Sequence, residues 1–451
     1  MNEPRQETTP WYREISRYQW LVLIVASLGW VFDVFEGQIF VASMNEAMPA
    51  LTPVEAKQDI PLYTNITFAA FLFGGALGGV VFGVLSDRLG RKRTLTYTIL
   101  LYSLFTCLSA FASRWWEMAG YRFLVALGVG GEWAVASALV AEVFPQRARA
   151  WSQSIFHASS VLGTFLAVAA GAFIVANPML TRTLSLFGHE FSLTGWRVGF
   201  LLGIVPALLI IWIRVSLREP ERWVKASSAA GEAKASVRQL FEGGLLRRTL
   251  IGVGLAAIGL ATFWGTHIYG KDVLQQAYQQ STGEQDPVAL KRAEMLGMFL
   301  VTTGGGLGLI AFGPICERLG RRGAFLFYHA GGLAASLVVF KQVSGMTAAA
   351  VLLPIFGFLT LGMHAGYAVY FPELFPTRLR STGGGFCFNV GRILAAPILA
   401  LSGWMQTKLV DDGMTKAEAL SNAAALLSLL FVLGVVLLLF APETKGQDLP
   451  A

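Results

Sequence analysis

Long apolar runs alternate with short polar breaks along the whole chain. Runs of about 20 residues, the length a helix needs to cross the hydrocarbon core of a bilayer, fall near 19–41, 62–86, 94–113, 118–141, 154–176, 197–216, 248–269, 293–315, 323–341, 349–371, 382–404 and 419–441. They predict an all-α membrane protein with twelve transmembrane helices, six in each half of the sequence. The breaks at 42–61, 177–196 and 270–292 read as the larger external loops. The break at 217–247 is polar, rich in Ala, Ser and Gly, and basic, and reads as a partly helical surface linker. The expected organisation is an N-terminal six-helix half at 1–216, a cytoplasmic linker at 217–247 and a C-terminal six-helix half at 248–451.

The polar breaks also repeat. Residues 74–93, GGALGGVVFGVLSDRLGRKR, and residues 304–323, GGGLGLIAFGPICERLGRRG, are identical at ten of twenty positions, with Asp87 answered by Glu317. Glu142, Phe144, Pro145, Arg147 and Arg149 recur 231 positions later as Glu373, Phe375, Pro376, Arg378 and Arg380. Two motifs recurring in one order at nearly one offset indicate a duplicated unit. An even number of spans per unit makes the repeat parallel, with both halves in the same orientation.

Composition supports the bilayer as solvent: 54% of residues are hydrophobic and 14% charged, too few charges to cover a soluble protein of this length. Most Lys and Arg fall in breaks that share one side, which places both termini in the cytoplasm by the positive-inside rule. The net charge of +7 is therefore a topology signal and not a nucleic-acid signal. The first apolar run is long enough to span and follows an acid-containing polar segment, so no cleavable signal peptide is expected. Cys107, Cys316 and Cys387 have neither disulfide-framework nor metal-site spacing. No H-E-x-x-H, G-x-S-x-G or phosphate-loop GK[ST] occurs, so neither an enzyme nor ATP-driven transport is expected, and no cofactor or metal is implied. A monomer in a plasma membrane, in the simplest case a bacterial inner membrane, is the expected setting.

Between the second and third runs, Gly83, Asp87, Arg88, Gly90, Arg91 and Lys92 form G-x-x-x-D-R-x-G-R-K, which resembles the signature loop of the major facilitator superfamily. Arg122, Gly128 and Gly130, the E-x-x-P-x-R-x-R ends of spans four and ten, REPERW at 218–223 and PETKG at 442–446 resemble its sugar-porter and organic-ion branch. Span seven, LATFWGTHIYG, lacks the Gln-Gln pair usual in sugar porters. Asp33-x-x-Glu36 and GGEW at 130–133 are similar to the proton symporters for sialate, lactate and aromatic acids, with Glu in place of the second Asp. The resemblance implies two six-helix halves rocking about a central site, and proton-coupled symport of a small organic anion. A neutral sugar or polyol symporter is the alternative within transport. A transporter-like ligand receptor is the alternative outside it.

Candidate residues follow. Asp33 and Glu36, three apart on a helix, share one face, deep in a span where a lone carboxylate is costly. Two carboxyls so close cannot both ionise cheaply, and the pair is expected to hold a proton near neutral pH. The alternative is that one of them pairs with a buried Arg and never titrates. Arg122 is the partner that the resemblance implies for Glu36, with a static helix-end pair or an outward-reaching side chain as alternatives. Glu132, in a Gly-rich stretch suited to close helix packing, is a further protonation candidate. Arg392 has no acid in its own span; its guanidinium fork suits a carboxylate, so it either binds the substrate anion or pairs with Glu132. His267 and Trp264, His364, Tyr367 and Tyr370 at helical spacing, and Phe35 with Gln38 could line a central cavity, or be ordinary helix packing. Asp87, Arg88, Arg91, Glu142, Arg149, Glu317, Arg318, Glu373 and Arg380 are expected to bridge the halves in one state and separate in the other, the alternative being topology anchors.

Overall fold

The computed structural model describes residues 11–175, 180, 182–186, 189–229, 235–343 and 345–450. Positions 230–234 of the expected linker, 176–179, 181 and 187–188 in and beside the second expected loop, and the first ten residues lie outside the described residues.

The N-terminal half contains α1 (Arg17–Leu51), α2 (Ile60–Leu89), α3 (Arg91–Ser109), α4 (Trp115–Val143), α5 (Gln146–Ala158), α6 (Ser160–Ala170), α7 (Gly195–Leu201) and α8 (Ala207–Ser216). A short helix, α9 (Glu221–Ala229), follows. The C-terminal half contains α10 (Leu245–Gly265), α11 (Gly270–Thr282), α12 (Pro287–Lys341), α13 (Met346–Leu361), α14 (His364–Leu374), α15 (Arg380–Ala395), α16 (Pro397–Asp411), α17 (Lys416–Leu427) and α18 (Leu430–Leu438). Every expected span corresponds to one helix, a consecutive pair, or one arm of α12. Among the described residues eight stretches are long and apolar enough to cross a membrane. The remaining spans fall short for local reasons: α3 opens on Arg91, Lys92 and Arg93, α7 and α8 part at Pro206, and α15 is rich in Gly and polar residues.

At 1.5 Å per residue a helix the length of α12 would reach roughly 80 Å, far beyond a bilayer. It is broken at Gly320, with φ 79°, as α2 and α3 are separated at Gly90, with φ 105°. Both positions need the left-handed backbone that only glycine adopts without strain, and both sit in the repeated loop motif. The repeated motif is thus a repeated turn.

The described parts of all three expected external loops are more ordered than the polarity pattern implies. α1 continues ten residues past the expected end at 41 because Ala47, Met48 and Leu51 are buried against Trp196 and Phe200. The segment 270–292 contains α11, which buries Val273, Leu274 and Ala277. The break at 177–196 holds an antiparallel hairpin of β1 (Arg182–Leu186) and β2 (His189–Leu193), with Arg182 opposite Leu193.

The halves meet where α2 lies against α15 and α5 against α12. One apolar cluster runs across both, through Trp133 and Phe156 on one side and Tyr367, Phe371 and Phe388 on the other. Several spans are broken near mid-length, among them α5 from α6, α7 from α8 and α13 from α14. Broken helices are tolerated at membrane depth only where protein or a cavity satisfies the freed backbone, so the breaks point to the bundle centre.

Candidate functional site

One face of the bundle carries two copies of a buried ionic network. In the first half Arg91 donates from Nε and Nη2 to Glu142 at 3.2 and 2.7 Å and from Nη1 to Asp87 at 2.6 Å. In the second half Arg321 donates to Glu373 at 2.9 and 2.7 Å and lies 3.5 Å from Glu317. Each turn is closed from outside the motif. Glu219 accepts the backbone N–H of Arg91 and Lys92 at 2.7 and 3.2 Å, and Glu443 accepts those of Arg321 and Arg322 at 2.9 and 3.1 Å. Burial opposes the charge on Glu443, but those backbone donors, that of Lys445 and the Arg321 guanidinium outweigh it and hold its carboxyl below the usual range.

Bonds between the halves cross this same face. Arg380 donates to Glu142 at 2.7 Å, and Arg91 to the Thr377 carbonyl at 3.0 Å. Asp87 accepts from the Thr382 N–H and hydroxyl, both at 2.7 Å, at the start of α15. The counterpart of the Arg380 contact, Arg149 to Glu373, stands at 3.9 Å, and no nitrogen of the Arg149 guanidinium is hydrogen-bonded. Arg88 instead holds the Ala235 carbonyl at 2.8 Å, and the carbonyl of Arg318 accepts from Lys445. Residues near both ends of the described chain lie on this face, since Arg147 pairs with Glu14 and Arg380 donates to the Pro450 carbonyl.

Near the bundle centre Asp33, Glu36, Glu132 and Arg122 are each no more than 1% exposed. None of the six carboxylate oxygens has a hydrogen-bond partner. Asp33 and Glu36 share α1 but face different groups. The charges that act on Asp33 come from Glu132 on α4, Arg392 on α15 and Glu36 on its own helix. Glu36 faces Arg122, Thr106 and Gly203, where an added Cβ would stand 3.1 Å from its Oε1. Arg122 donates to the backbone carbonyl of Glu36 at 2.6 Å and lies 4.7 Å from the Phe71 ring. Glu132 sits against Gly29, where a Cβ would collide with its Oε1, and opposite the buried Tyr102. Arg392 is half-buried; its Nη1 lies 2.8 Å from where a Cβ on Gly75 would be, and the Asp33 carboxylate acts on its charge.

An aromatic wall runs from Arg392 across the interface. Its guanidinium stands 5.3 Å over Phe388, which stacks on Trp133 at 4.4 Å, and Trp133 donates to His157 Nδ1 at 3.1 Å. On the other side Phe388 meets Tyr367, Tyr367 meets His364, and His364 meets Phe263, at 6.2, 5.4 and 5.6 Å. His267 stacks between Phe263 and Phe356. The Thr360 hydroxyl donates to the Phe356 carbonyl, so it accepts from His267 Nδ1 at 2.6 Å and leaves Nε2 as the acceptor nitrogen.

Four expected lining residues stand apart. Phe35 belongs to a separate apolar cluster and borders a groove of about 330 Å³ with Phe32, Leu166 and Leu202. Trp264 packs edge-on against Phe263, and Gln38 is half-buried on α1. Tyr370 donates to the Pro442 carbonyl at 2.6 Å on the ionic face.

The family model described as Major Facilitator Superfamily matches residues 37–397. This chain belongs to that superfamily. A major facilitator protein is a transporter and not an enzyme, built from twelve helices in two halves and embedded in a membrane. The chain is 28% identical over 401 residues to the sialic acid transporter NanX of Escherichia coli strain K12, covering 87% of this chain and 89% of that one. It is 30% identical over 380 residues to the cis,cis-muconate transport protein of Acinetobacter baylyi, covering 83% and 84%. Among solved structures, the proton:xylose symporter XylE bound to 6-bromo-6-deoxy-D-glucose superposes with a TM-score of 0.72 at 18% identity, covering 96% and 98%. That likeness concerns the fold.

Within this major facilitator chain, sequence reasoning passed over Tyr102, Thr106 and His157. No local signal separates a buried Tyr or Thr facing an acid from one that packs; only the neighbouring helix does. Glu219 and Glu443 were visible inside REPERW and PETKG, but their task as caps of the repeated turns required coordinates.

Proposed function

We propose that this transporter carries a small organic anion together with protons, as a monomer, with both chain ends on the cytoplasmic side of a bacterial inner membrane. The observation carrying this reading is Arg392: a half-buried guanidinium against an aromatic wall, with an intramembrane carboxylate as ionic neighbour. A planar or aromatic carboxylate would place its charge on Arg392 and its body along Phe388, Tyr367 and Phe263, with His267 Nε2 accepting a hydrogen bond from a substrate hydroxyl or N–H. Buried carboxylates of α1 and α4 bind protons on the outer side and release them inside. Binding biases the halves to rock, and the ionic face opens as Arg380 leaves Glu142 and α15 leaves Asp87. The two relatives whose names give organic acids support this substrate class.

Ligand-induced stabilisation tests the binding step. Sialic acid, cis,cis-muconate, nicotinate, lactate, xylose and inositol are each added to the purified protein and its melting temperature is recorded. A ligand at a hundredfold its Kd stabilises by about 2.7 kcal/mol. One or more acids are expected to raise the melting temperature of the wild type and not of Arg392→Ala. Stabilisation by the neutral solutes alone would replace the anion reading with a sugar or polyol carrier.

A further inference from the structure

A groove of about 480 Å³ runs along the flank of the C-terminal half between the second arm of α12, α16 and α17. Its volume lies in the usual range for small-molecule sites, about 300–1,000 Å³. None of its lining residues belongs to the N-terminal half or to the aromatic wall. Leu337, Trp404, Leu426 and Leu429 line it and are each more than a third exposed, so it opens sideways on the flank that faces the bilayer. The arm from Gly320 to Lys341 is about 30 Å long at 1.5 Å per residue, the thickness of the hydrocarbon core. Lys341 therefore stands at the membrane surface opposite the ionic face, and Lys408, in the last turn of α16, lines the same end of the groove. The lining carries these two ammonium groups and no carboxylate. Lys341 donates to the neutral side chain of Asn422 and has no ionic partner among the described residues. Lys408 stands 3.9 Å from Asp412, with both side chains well exposed. Glu418, the next acid along, is turned back to the Thr415 N–H and hydroxyl at 2.9 and 2.8 Å.

We infer that this groove binds one anionic phospholipid from the leaflet opposite the ionic face. An acyl chain lies along Leu337, Ala425, Leu426 and Leu429, and the phosphodiester is held between Lys341 and Lys408. Trp404, one turn below Lys408, stands where indole rings favour the border between headgroups and chains. Two ammonium groups against Asp412 leave one positive charge at the rim, which a single phosphodiester neutralises. A headgroup with its own ammonium would restore the excess. All three helices belong to one half, so the lipid braces that half in every state of the carrier, and its occupancy is independent of the transported solute.

Native mass spectrometry of the full chain, released from detergent after incubation with phosphatidylglycerol, phosphatidylethanolamine and phosphatidylcholine of matched chains, counts the lipids retained. The wild type is expected to keep phosphatidylglycerol in preference to the other two. Copies held elsewhere, above all on the basic ionic face, are untouched by substitutions in the groove, so the readout is the loss of one copy. Affinity for that copy should fall about fivefold for Lys341→Gln or Lys408→Gln and about twenty-five-fold for the double variant, while Lys341→Arg with Lys408→Arg retains it. Leu426→Trp, which fills the groove from an exposed position, should also lose it. On the wild type, short-chain phosphatidylglycerol should bind more weakly than the long-chain lipid, and glycerol 3-phosphate at the same concentration should not displace it. Equal retention of phosphatidylglycerol and phosphatidylcholine, or a copy number unchanged in the double Gln variant, overturns the headgroup assignment. Loss in the double Gln variant with full retention in Leu426→Trp and no effect of chain length reduces the site to surface charge and overturns the groove. Displacement by glycerol 3-phosphate would mark a site for a soluble anion and overturn the lipid.

Discussion

Asp87 shows how one side chain can serve two halves. It pairs with Arg91 on its own side at 2.6 Å and accepts two bonds from Thr382 and a longer one, at 3.3 Å, from the Ser381 N–H on the other. Hydrogen bonds to a charged group are worth about 1.5–3 kcal/mol each. Asp87→Ala should therefore raise amide hydrogen exchange at Ser381 and Thr382 by about ten- to a hundredfold. Exchange there unchanged from wild type would mean that the start of α15 is held by packing and not by this carboxylate. The central acids differ in kind, since they have burial without bonds. An unpaired carboxylate at that depth is not explained by stability, because an apolar side chain would cost less there.

At the scale of elements, the sequence made the helices legible because membrane thickness converts directly into run length, and the duplication legible because its charged motifs lie in turns. It did not show that α1 runs on to Leu51, because that extension depends on Trp196 and Phe200 far along the chain. Nor could spacing reveal which way Asp33 and Glu36 face: three positions on a helix bring two Cβ atoms near each other, but the partners on α3, α4 and α15 decide where the carboxyls point. The turn at Gly320 carries its own pH dependence. Glu443, held below the usual carboxylate range, supports the turn fully above the ordinary value for an unfolded Glu and loses that support as pH falls toward its depressed folded value. Melting temperatures recorded from pH 7 down to pH 3 should fall more steeply for the wild type than for Glu443→Gln. Parallel curves would show that the cap contributes nothing that titrates.

At the scale of the molecule, the duplicated networks share a layout but are not equally engaged. Glu142 receives Arg380 from the other half at 2.7 Å, while Glu373 stands 3.9 Å from Arg149 and takes its bonds from Arg321 and the Thr444 hydroxyl within its own half. A few bonds, concentrated on one face, close that face against the other half, and breaking a buried pair by removing one partner costs about 3–5 kcal/mol. That is enough to hold one state and small enough for bound ligand and protons to reverse it. Arg392 of one half lies against Gly75 of the other and acts on its Asp33, so such a motion changes their access. The most direct test is to reconstitute the protein in liposomes with an internal pH reporter and add sialic acid, cis,cis-muconate, nicotinate, lactate and neutral sugars in turn. Acidification driven by an organic acid, abolished in Arg392→Ala and Asp33→Asn, is the result expected; anion entry without proton movement, or acidification driven by sugars alone, would contradict it.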